Sequence, residues 1–266
     1  MSQRPVVFVH AHPDDEAIFT GGTIRRLTTS GHPVTVIIAT DGSCGTEESA
    51  GDHGRGLADR RAAEARLALS LLGCEDVISL GFRDSGMSGA PDNDHPQAFV
   101  GAERDTVADR IAAVCRSRAA PVLVGYDAGG MYGHPDHRMV HDVTRRAWRR
   151  MTGATLYEAT VDREYLHFVD THLVELAALG GPMPYEEMVG SVTAEIPTAV
   201  DVRRAAADKR EAMLAHQTQV DPALLPVGEA FTAVYGWEWY LRAGPSDVLD
   251  ELARATTDAH AGAAPP

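Results

Sequence analysis

The sequence has few cysteines and no long apolar run. Its three cysteines, Cys44, Cys74 and Cys115, include no C-x-x-C pair, which excludes a disulfide framework and indicates a reducing compartment. No stretch is apolar enough to span a bilayer, and the first predicted strand begins too early for a signal peptide. We therefore expect a cytoplasmic protein with no membrane partner.

Basic residues are also scarce relative to acidic ones. The chain has 24 Lys and Arg against 38 Asp and Glu, which gives a net charge of −14. Nucleic acids and anionic membranes are bound by clustered Lys and Arg, so this balance argues against both kinds of partner. A G-x-G-x-x-G turn is missing after the first strand as well, which argues against a dinucleotide-binding site.

The 266 residues are enough for one large domain. Hydrophobic content of 44% and charged content of 23% are typical of globular proteins. We predict a single domain over residues 1–255, with a regular βαβ core at 1–150 and a C-terminal portion at 151–255. Residues 256–266 are predicted to be a disordered tail.

Strands and helices alternate through the first half of the chain. Strands are predicted at residues 6–9, 34–40, 77–80 and 121–126. Helices are predicted at residues 15–30, 57–72, 103–118 and 138–151. This βαβ pattern is typical of an α/β fold, a three-layer, mostly parallel Rossmann-like sheet, with an irregular C-terminal portion that completes the site. Gly21-Gly22 within the first helix indicates close packing or a ligand beside the backbone.

The later elements are less regular. We predict a strand at 154–161, a helix at 163–179, an extended segment at 191–200 and a helix at 202–217. The aromatic run at 235–240 is interpreted either as a packing segment or as a wall of the site.

A polar cluster follows the first predicted strand, where ligands bind in open α/β sheets. It reads His12-Pro13-Asp14-Asp15-Glu16, and Pro13 suits the first turn of a helix. His12 and Asp15 are then three apart and project to the same side, as a pair of ligands for Zn²⁺ or a similar cation would. Asp14 points elsewhere and could act as a free base. Acids at a helix start can simply complement the helix dipole, but three in succession repel one another without a cation.

A second cluster, GHPDH at residues 133–137, follows the fourth predicted strand. Parallel strands end at the same edge of a sheet, so His134 or His137 can reach the first cluster. Two imidazoles and one carboxylate leave a coordination position open, as in hydrolytic zinc sites. Taken alone, this cluster could equally be a capped turn with solvated histidines.

These two motifs resemble those of the PIG-L/LmbE family of zinc-dependent N-deacetylases. The likeness extends along most of the chain and includes Arg61-x-x-Glu64, the loop at 83–87 and the AHQTQ stretch at 215–219. The last features are most similar to the actinobacterial subgroup of mycothiol-biosynthesis deacetylases and mycothiol S-conjugate amidases.

The resemblance implies a role for each residue of the two motifs. The implied metal ligands are His12, Asp15 and His137. The implied catalytic residues are Asp14 as general base, His134 as the acid or protonated oxyanion partner, Asp136 as the residue that sets the tautomer and charge of His134, and Tyr132 as an oxyanion donor. Zn²⁺ is the implied metal, and Fe²⁺ or another divalent cation would accept the same ligands.

The resemblance also implies a substrate site. Arg61 and Asp84 match positions that hold sugar hydroxyls or a phosphate-like group, and Met87 belongs to the same loop as Asp84. A guanidinium and a carboxylate suit such ligands, although an ordinary surface salt bridge would explain both residues. His216 is left open between packing and substrate contact.

We therefore predict a metal-dependent hydrolase that removes an N-acyl group, expected to be acetyl, from a glucosamine-type sugar. The expected partner is this small molecule, and a homo-oligomer is left open. The alternative is a mycothiol S-conjugate amidase or another amide hydrolase of specialised metabolism. Phe19 argues against it, because the conjugate amidases carry a lysine nearby. A non-catalytic Rossmann-like binding module is the remaining alternative.

Overall fold

A seven-stranded sheet runs through the computed structural model, which describes residues 3–45, 55–165 and 189–259. The strands are β1 Val6–His10, β2 Val34–Thr40, β3 Asp76–Phe82, β4 Val122–Tyr126, β5 Thr155–Thr160, β6 Thr198–Asp201 and β7 Trp237–Ala243. Their order across the sheet is β3-β2-β1-β4-β5-β7-β6. Only the pairings of β7 with β5 and β6 are antiparallel.

Helices cover the sheet. The helices of the described residues are α1 Asp15–Thr29, α2 Arg55–Leu71, α3 Arg104–Ser117, α4 Gly130–Gly133, α5 Pro135–Trp148, α6 Ala206–Ala215, α7 Gly228–Tyr235 and α8 Val248–Ala259. α3 packs against α5, whereas α1 and α2 pack against each other and against α6. Right-handed crossovers place these two groups on opposite faces of the sheet. The predicted three-layer, mostly parallel fold is therefore confirmed.

The centre of the sheet positions the candidate site. Every residue of β1, β2 and β4 is buried, as continuous apolar runs in a parallel sheet predict. The strand order changes direction between β1 and β4, and such a switch point leaves a crevice beyond the strand ends. Both polar clusters follow these two strands and enter that crevice.

The C-terminal portion departs most from the predictions. The aromatic run at 235–240 contains the start of a strand, β7, whose residues Glu238 and Tyr240 face the core while Trp237 and Trp239 are only half-buried. The segment predicted as extended at 191–200 is interrupted by a 3₁₀ turn at Thr193–Glu195, and its strand, β6, begins at Thr198. These strands were difficult to predict because their pairing depends on segments distant in sequence.

Several helix bounds also differ from the predictions. The helix predicted at 138–151 begins at Pro135, which occupies its first turn. The helix predicted at 202–217 begins at Ala206, after a 3₁₀ turn. A disordered tail was predicted from residue 256, but α8 continues to Ala259. Residues 260–266 lie outside the described residues. Most of the helix predicted at 163–179 also lies outside them.

One of the paired glycines of α1, Gly22, packs closely against Val202, as the sequence suggested. A Cβ on Gly22 would lie 2.4 Å from Val202 Cβ. The backbone N–H groups of Gly22 and Thr23 each donate to the Glu238 carboxylate at 2.8 Å. Gly22 therefore allows α1 to approach the segment before α6 and the strand β7.

We expect Gly22→Ala to lower the free energy of unfolding by roughly 1–3 kcal/mol through overpacking. Alanine normally stabilises a helix interior by about 1 kcal/mol relative to glycine, so the close contact reverses the usual sign. Urea denaturation measures the effect. Gly101→Ala is the control, because its added methyl group meets nothing within 4 Å. A stabilised Gly22→Ala protein would contradict the prediction.

Candidate active site

The turn after β1 is held in a strained conformation. Asp14 has φ 129° and ψ −30°, a region that residues with a side chain rarely adopt and that is often found at functional sites. Its backbone N–H donates to Glu16 Oε2 at 3.0 Å. The carbonyl of Ala11 accepts from both the N–H and the hydroxyl of Thr40 at 2.9 Å. These contacts determine where the side chains after β1 point.

The three predicted metal ligands converge on one point. Asp15 Oδ2 lies 3.5 Å from His12 Nδ1 and 3.3 Å from His137 Nε2, and these two nitrogens are 3.3 Å apart. A tetrahedral zinc ion with bonds of about 2.0–2.1 Å separates its ligands by roughly 3.3–3.4 Å. The spacing of the three donor atoms therefore fits a divalent cation.

The charge of the site is also suited to a cation. Burial by itself lowers the pKa of His12, but hydrogen bonds with Asp136, Asp15 and Asp84 raise that pKa well above its ordinary value. Burial raises the pKa of Asp15, and the nearby His137 and His12 outweigh it and hold that pKa well below the usual range. The cluster thus favours added positive charge.

Two carboxylates orient the His12 ring from its other side. Its Nε2 lies 3.3 Å from Asp136 Oδ2 and 3.5 Å from Asp84 Oδ1. Asp136 in turn accepts from the N–H of Ser85 at 2.9 Å and from its hydroxyl at 2.6 Å. Metal-binding histidines commonly donate their second N–H to a carboxylate in this way. Ser85 was not predicted, because no local motif marks it.

The carboxylate and the backbone of Asp136 contact two different histidines. Its carboxylate hydrogen bonds go to His12 and Ser85, whereas its backbone N–H donates to His134 Nδ1 at 3.1 Å. This contact leaves the proton of a neutral His134 on Nε2. Burial and the nearby His12 lower the pKa of His134 to about 4. A lowered pKa favours the neutral ring, which offers one N–H donor at Nε2. The protonated His134 that the resemblance implies stays a prediction.

Aromatic rings hold His137 in place. It stacks on Tyr126 with ring centroids 4.5 Å apart and an interplanar angle of 19°. The Tyr126 hydroxyl is 2.8 Å from His10 Nδ1, which fixes Tyr126 against β1. The hydroxyl of Tyr132, a predicted oxyanion donor, lies 3.4 Å from Nε2 of His137, a predicted ligand. Burial raises the pKa of Tyr132, which keeps its hydroxyl protonated.

Asp14 stands beside the three donors as a separate carboxylate. Burial raises the pKa of Asp14 to about 6, although the charge of Arg61 opposes this shift. Arg61 Nη2 lies 3.1 Å from Asp14 Oδ2 and donates to Pro13 O at 2.6 Å, while Nη1 donates to Gly42 O at 2.6 Å. Arg61, expected to bind substrate, therefore holds the base and its turn.

The open question about His216 has a structural answer. It is fully buried, and its Nε2 lies 2.6 Å from Glu16 Oε1. Since Glu16 also accepts from the Asp14 N–H, His216 supports the turn that carries Asp14. Glu64 accepts from the N–H and hydroxyl of Thr218, which joins α2 to the segment after α6.

A polar cavity of about 310 Å³ opens over these groups. Its lining includes all three predicted substrate-binding residues, Arg61, Asp84 and Met87. Asp84 also accepts from Gly86 N at 2.8 Å and Cys44 N at 3.3 Å, so its carboxylate organises the wall as well as facing the cavity. Gln219 and Cys44 line the same cavity and were not predicted.

Comparison with known proteins agrees with this geometry. A family model described as PIG-L: GlcNAc-PI de-N-acetylase matches residues 7–148. The chain belongs to the PIG-L family. A relative named 1D-myo-inositol 2-acetamido-2-deoxy-alpha-D-glucopyranoside deacetylase, from Thermobifida fusca, is 35% identical in an alignment of length 242 that covers 83% of this chain and 85% of that protein. A protein of the same name from Rhodococcus jostii is 39% identical in an alignment of length 246 that covers 84% of each chain.

A solved structure extends the likeness to the whole fold. N,N'-diacetylchitobiose deacetylase from Pyrococcus horikoshii superposes with a TM-score of 0.62 at 21% identity, over 91% of this chain and 84% of that one. The predicted family, fold and deacetylase class are thereby confirmed.

PIG-L deacetylases are metal-dependent, and the His/Asp cluster of this chain could hold a metal. In the parts of the chain that the structure describes, no helix has the length and hydropathy of a membrane span.

We expect Asp136→Asn to weaken metal binding by about 10–100-fold, the usual effect of removing an outer hydrogen-bond partner of a ligand. The asparagine side chain keeps the shape of Asp136 but lacks its negative charge. That charge favours a proton on His12 Nε2, which leaves Nδ1 free to bind the metal. Competition with a chromogenic chelator measures the Zn²⁺ affinity. Asp142→Asn, on the same helix but half exposed and paired with Arg104, is the control. Equal affinities in the two variants would contradict the orienting role of Asp136.

Proposed function

We propose that this protein is a zinc-dependent hydrolase that removes the N-acyl group, acetyl in its simplest form, from the 2-amino group of a glucosamine-type sugar. The observation that carries the proposal is the set of three donor atoms spaced 3.3–3.5 Å apart beside the separate carboxylate of Asp14. Two imidazoles and one carboxylate with an open position are a usual catalytic zinc set, and Fe²⁺ would accept the same ligands.

Each residue has a part in the proposed reaction. When bound, the cation polarises the amide carbonyl and acidifies water. Asp14 accepts a proton from the attacking water, for which a pKa near the working pH is favourable. The Nε2–H of His134 and the hydroxyl of Tyr132 donate to the oxygen that gains negative charge. Arg61 keeps Asp14 in position throughout.

The polar cavity suits the sugar. Carboxylate and amide groups, from Asp84 and Gln219, can bind sugar hydroxyls, and Met87 provides an apolar surface for the face of the ring. The chemistry of this lining supports a polyhydroxylated amine as the leaving group.

The relatives at 35–39% identity are named as deacetylases of an inositol glucosaminide, so a conjugate amidase is not favoured. All the residues that the reaction requires are present, which disfavours a non-catalytic binding module.

The test is release of primary amine from N-acetylated sugars by zinc-loaded protein, beside a chelator-treated control. The panel contains N-acetylglucosamine, the N-acetylglucosaminyl-inositol of the relatives' name, and a mycothiol S-conjugate. We expect metal-dependent release from at least one N-acetylglucosaminyl compound. Release from the conjugate alone would replace the deacetylase proposal with the amidase alternative.

A further inference from the structure

A second cavity, of about 380 Å³, lies next to the polar one. In contrast to the polar cavity, its walls are largely apolar and aromatic. They include Ile18 and Phe19 on α1, Tyr235 at the end of α7, and Trp237 and Trp239 on β7. On β7, the half-buried side chains of Trp237 and Trp239 line this cavity, and the buried Glu238 between them borders it as well.

The charged groups of this wall neutralise each other. Lys209 Nζ donates to Glu238 Oε1 at 2.7 Å, and both side chains are about 2% exposed. Glu238 also accepts from two backbone N–H groups of α1 and from the Tyr240 hydroxyl. Since these groups are engaged with one another, the cavity offers its occupant mainly an apolar surface.

The two cavities meet at the candidate catalytic groups. Asp14 and Tyr132 line both of them, while His12 lines the polar cavity and Asp15 the apolar one. An amide carbonyl at the point between these residues divides its molecule into an amine part and an acyl part. The polar cavity suits the sugar amine, so the acyl part extends into the apolar cavity.

The apolar cavity is much larger than an acetyl group requires. An engineered cavity of about 150 Å³ is sufficient for a benzene ring, so 380 Å³ has space for an acyl chain of several more carbons than acetyl. Phe19 stands close to the site, with its ring centroid 6.0 Å from that of His137 and 6.3 Å from that of Tyr132. It presents an apolar face to any acyl chain that leaves the catalytic groups in this direction.

We infer that the preferred substrates are glucosamine-type sugars whose nitrogen carries an acyl group longer than acetyl, a medium-length aliphatic or an arylalkanoyl chain, seated in the apolar cavity. The inference rests on the proposed function and specifies its acyl group. The reaction breaks the C–N bond of the amide. The hydroxyl of water goes to the acyl carbon and the other proton of that water, accepted first by Asp14, goes to the nitrogen. The products are a carboxylic acid and an amine, which are a carboxylate and an ammonium ion after proton transfer at neutral pH.

The experiment measures kcat/KM for N-acyl glucosamines with two, four, six and eight acyl carbons, using the zinc-loaded full chain. We expect an increase of roughly four-fold for each methylene buried, which corresponds to about 0.8 kcal/mol per CH₂. A second series keeps the acetyl group and varies the glycoside from methyl to octyl. Acetyl cleavage with no gain for longer acyl chains would overturn the inference and leave the proposed function standing. A gain along the glycoside series alone would assign the cavity to the aglycone and also overturn it.

Val234→Phe fills the cavity from α7, because Val234 lines it. We expect the octanoyl-to-acetyl ratio of kcat/KM to fall at least ten-fold, with acetyl cleavage retained as evidence of correct folding. Val227→Phe is the matched control at a position that is 66% exposed. Phe19→Gln makes the cavity wall more polar without filling it, and should lower the same ratio. An unchanged ratio in both cavity variants would contradict the inference.

Ligand binding to the Asp14→Asn protein tests the acyl cavity without hydrolysis. It therefore distinguishes a failure of this inference from a failure of the proposed function. Calorimetry compares N-octanoylglucosamine with N-acetylglucosamine in the absence of turnover. Tighter binding of the octanoyl compound supports an acyl cavity even if no member of the panel is hydrolysed. Equal affinities for the two compounds would overturn the inference.

Discussion

Asp14→Asn should lower kcat by about 10²–10⁴-fold, the contribution of a positioned general base, while the protein keeps its bound metal. The Asp14 carboxylate is not one of the three converging donors, so its loss removes the proton acceptor without removing a ligand. Asn has nearly the same size and can still accept from Arg61. The variant therefore isolates the chemical role of the carboxylate from its role in the turn.

The measurement combines kcat with metal content after dialysis. His12→Ala provides the contrast, because it deletes a donor and should lose both metal and activity. Asp59→Asn, an exposed position on α2, is the control for a surface charge and should match the unmodified protein. If Asp14→Asn and His12→Ala lost metal to the same extent, or if both remained active, the assignment of base and ligand would be wrong.

Lys209→Met should lower the free energy of unfolding by about 3–5 kcal/mol, because it leaves the buried Glu238 carboxylate without its cation. Glu238 is 3% exposed and Lys209 is 1% exposed, so water cannot replace the lost partner without a change in structure. The pair connects α6 to β7, and Glu238 continues the connection to the backbone of α1. Loss of the lysine therefore affects three elements at once.

Urea denaturation in the presence of chelator measures the loss without a contribution from metal. Arg25→Met is the matched control, since Arg25 on α1 pairs with Asp208 on α6 at 3.0 Å but in a half-exposed position. That surface pair should contribute less than about 1 kcal/mol. Lys209→Met/Glu238→Gln should recover part of the loss, because it removes the unpaired charge and its single amide oxygen still accepts from one of the two α1 N–H groups. A loss in Lys209→Met no larger than in Arg25→Met would mean that the buried pair is dispensable.

The candidate ligands could be predicted because each lies in a local motif after a strand. The apolar runs before residues 11 and 127 predict buried parallel strands, and parallel strands end at one edge of a sheet. Proximity of His12 to His137 then follows from topology, without knowledge of side-chain geometry. The spacing of His12 and Asp15 follows in the same way from the first turn of a helix.

The partners of those residues could not be predicted in this way. His216 lies 200 residues from Glu16, and Ser85 lies 51 residues from Asp136. Neither pair has a local periodicity, since each depends on how α6 and the loop after β3 pack on the sheet. The carboxylate contact of Asp136 could not be predicted for the same reason, because its nearest imidazole in sequence is His134 but its carboxylate reaches His12.

By itself the sequence determined the class of fold, the family, and the residues that could hold a metal, because these depend on short motifs and on the alternation of strands and helices. Only the tertiary structure decided how the candidate ligands are oriented, which group His134 Nδ1 contacts, and that an apolar cavity adjoins the candidate catalytic groups. These properties depend on contacts between distant segments, above all on the antiparallel strand β7. Its insertion between β5 and β6 brings Trp237 and Trp239 beside a site made by the first half of the chain.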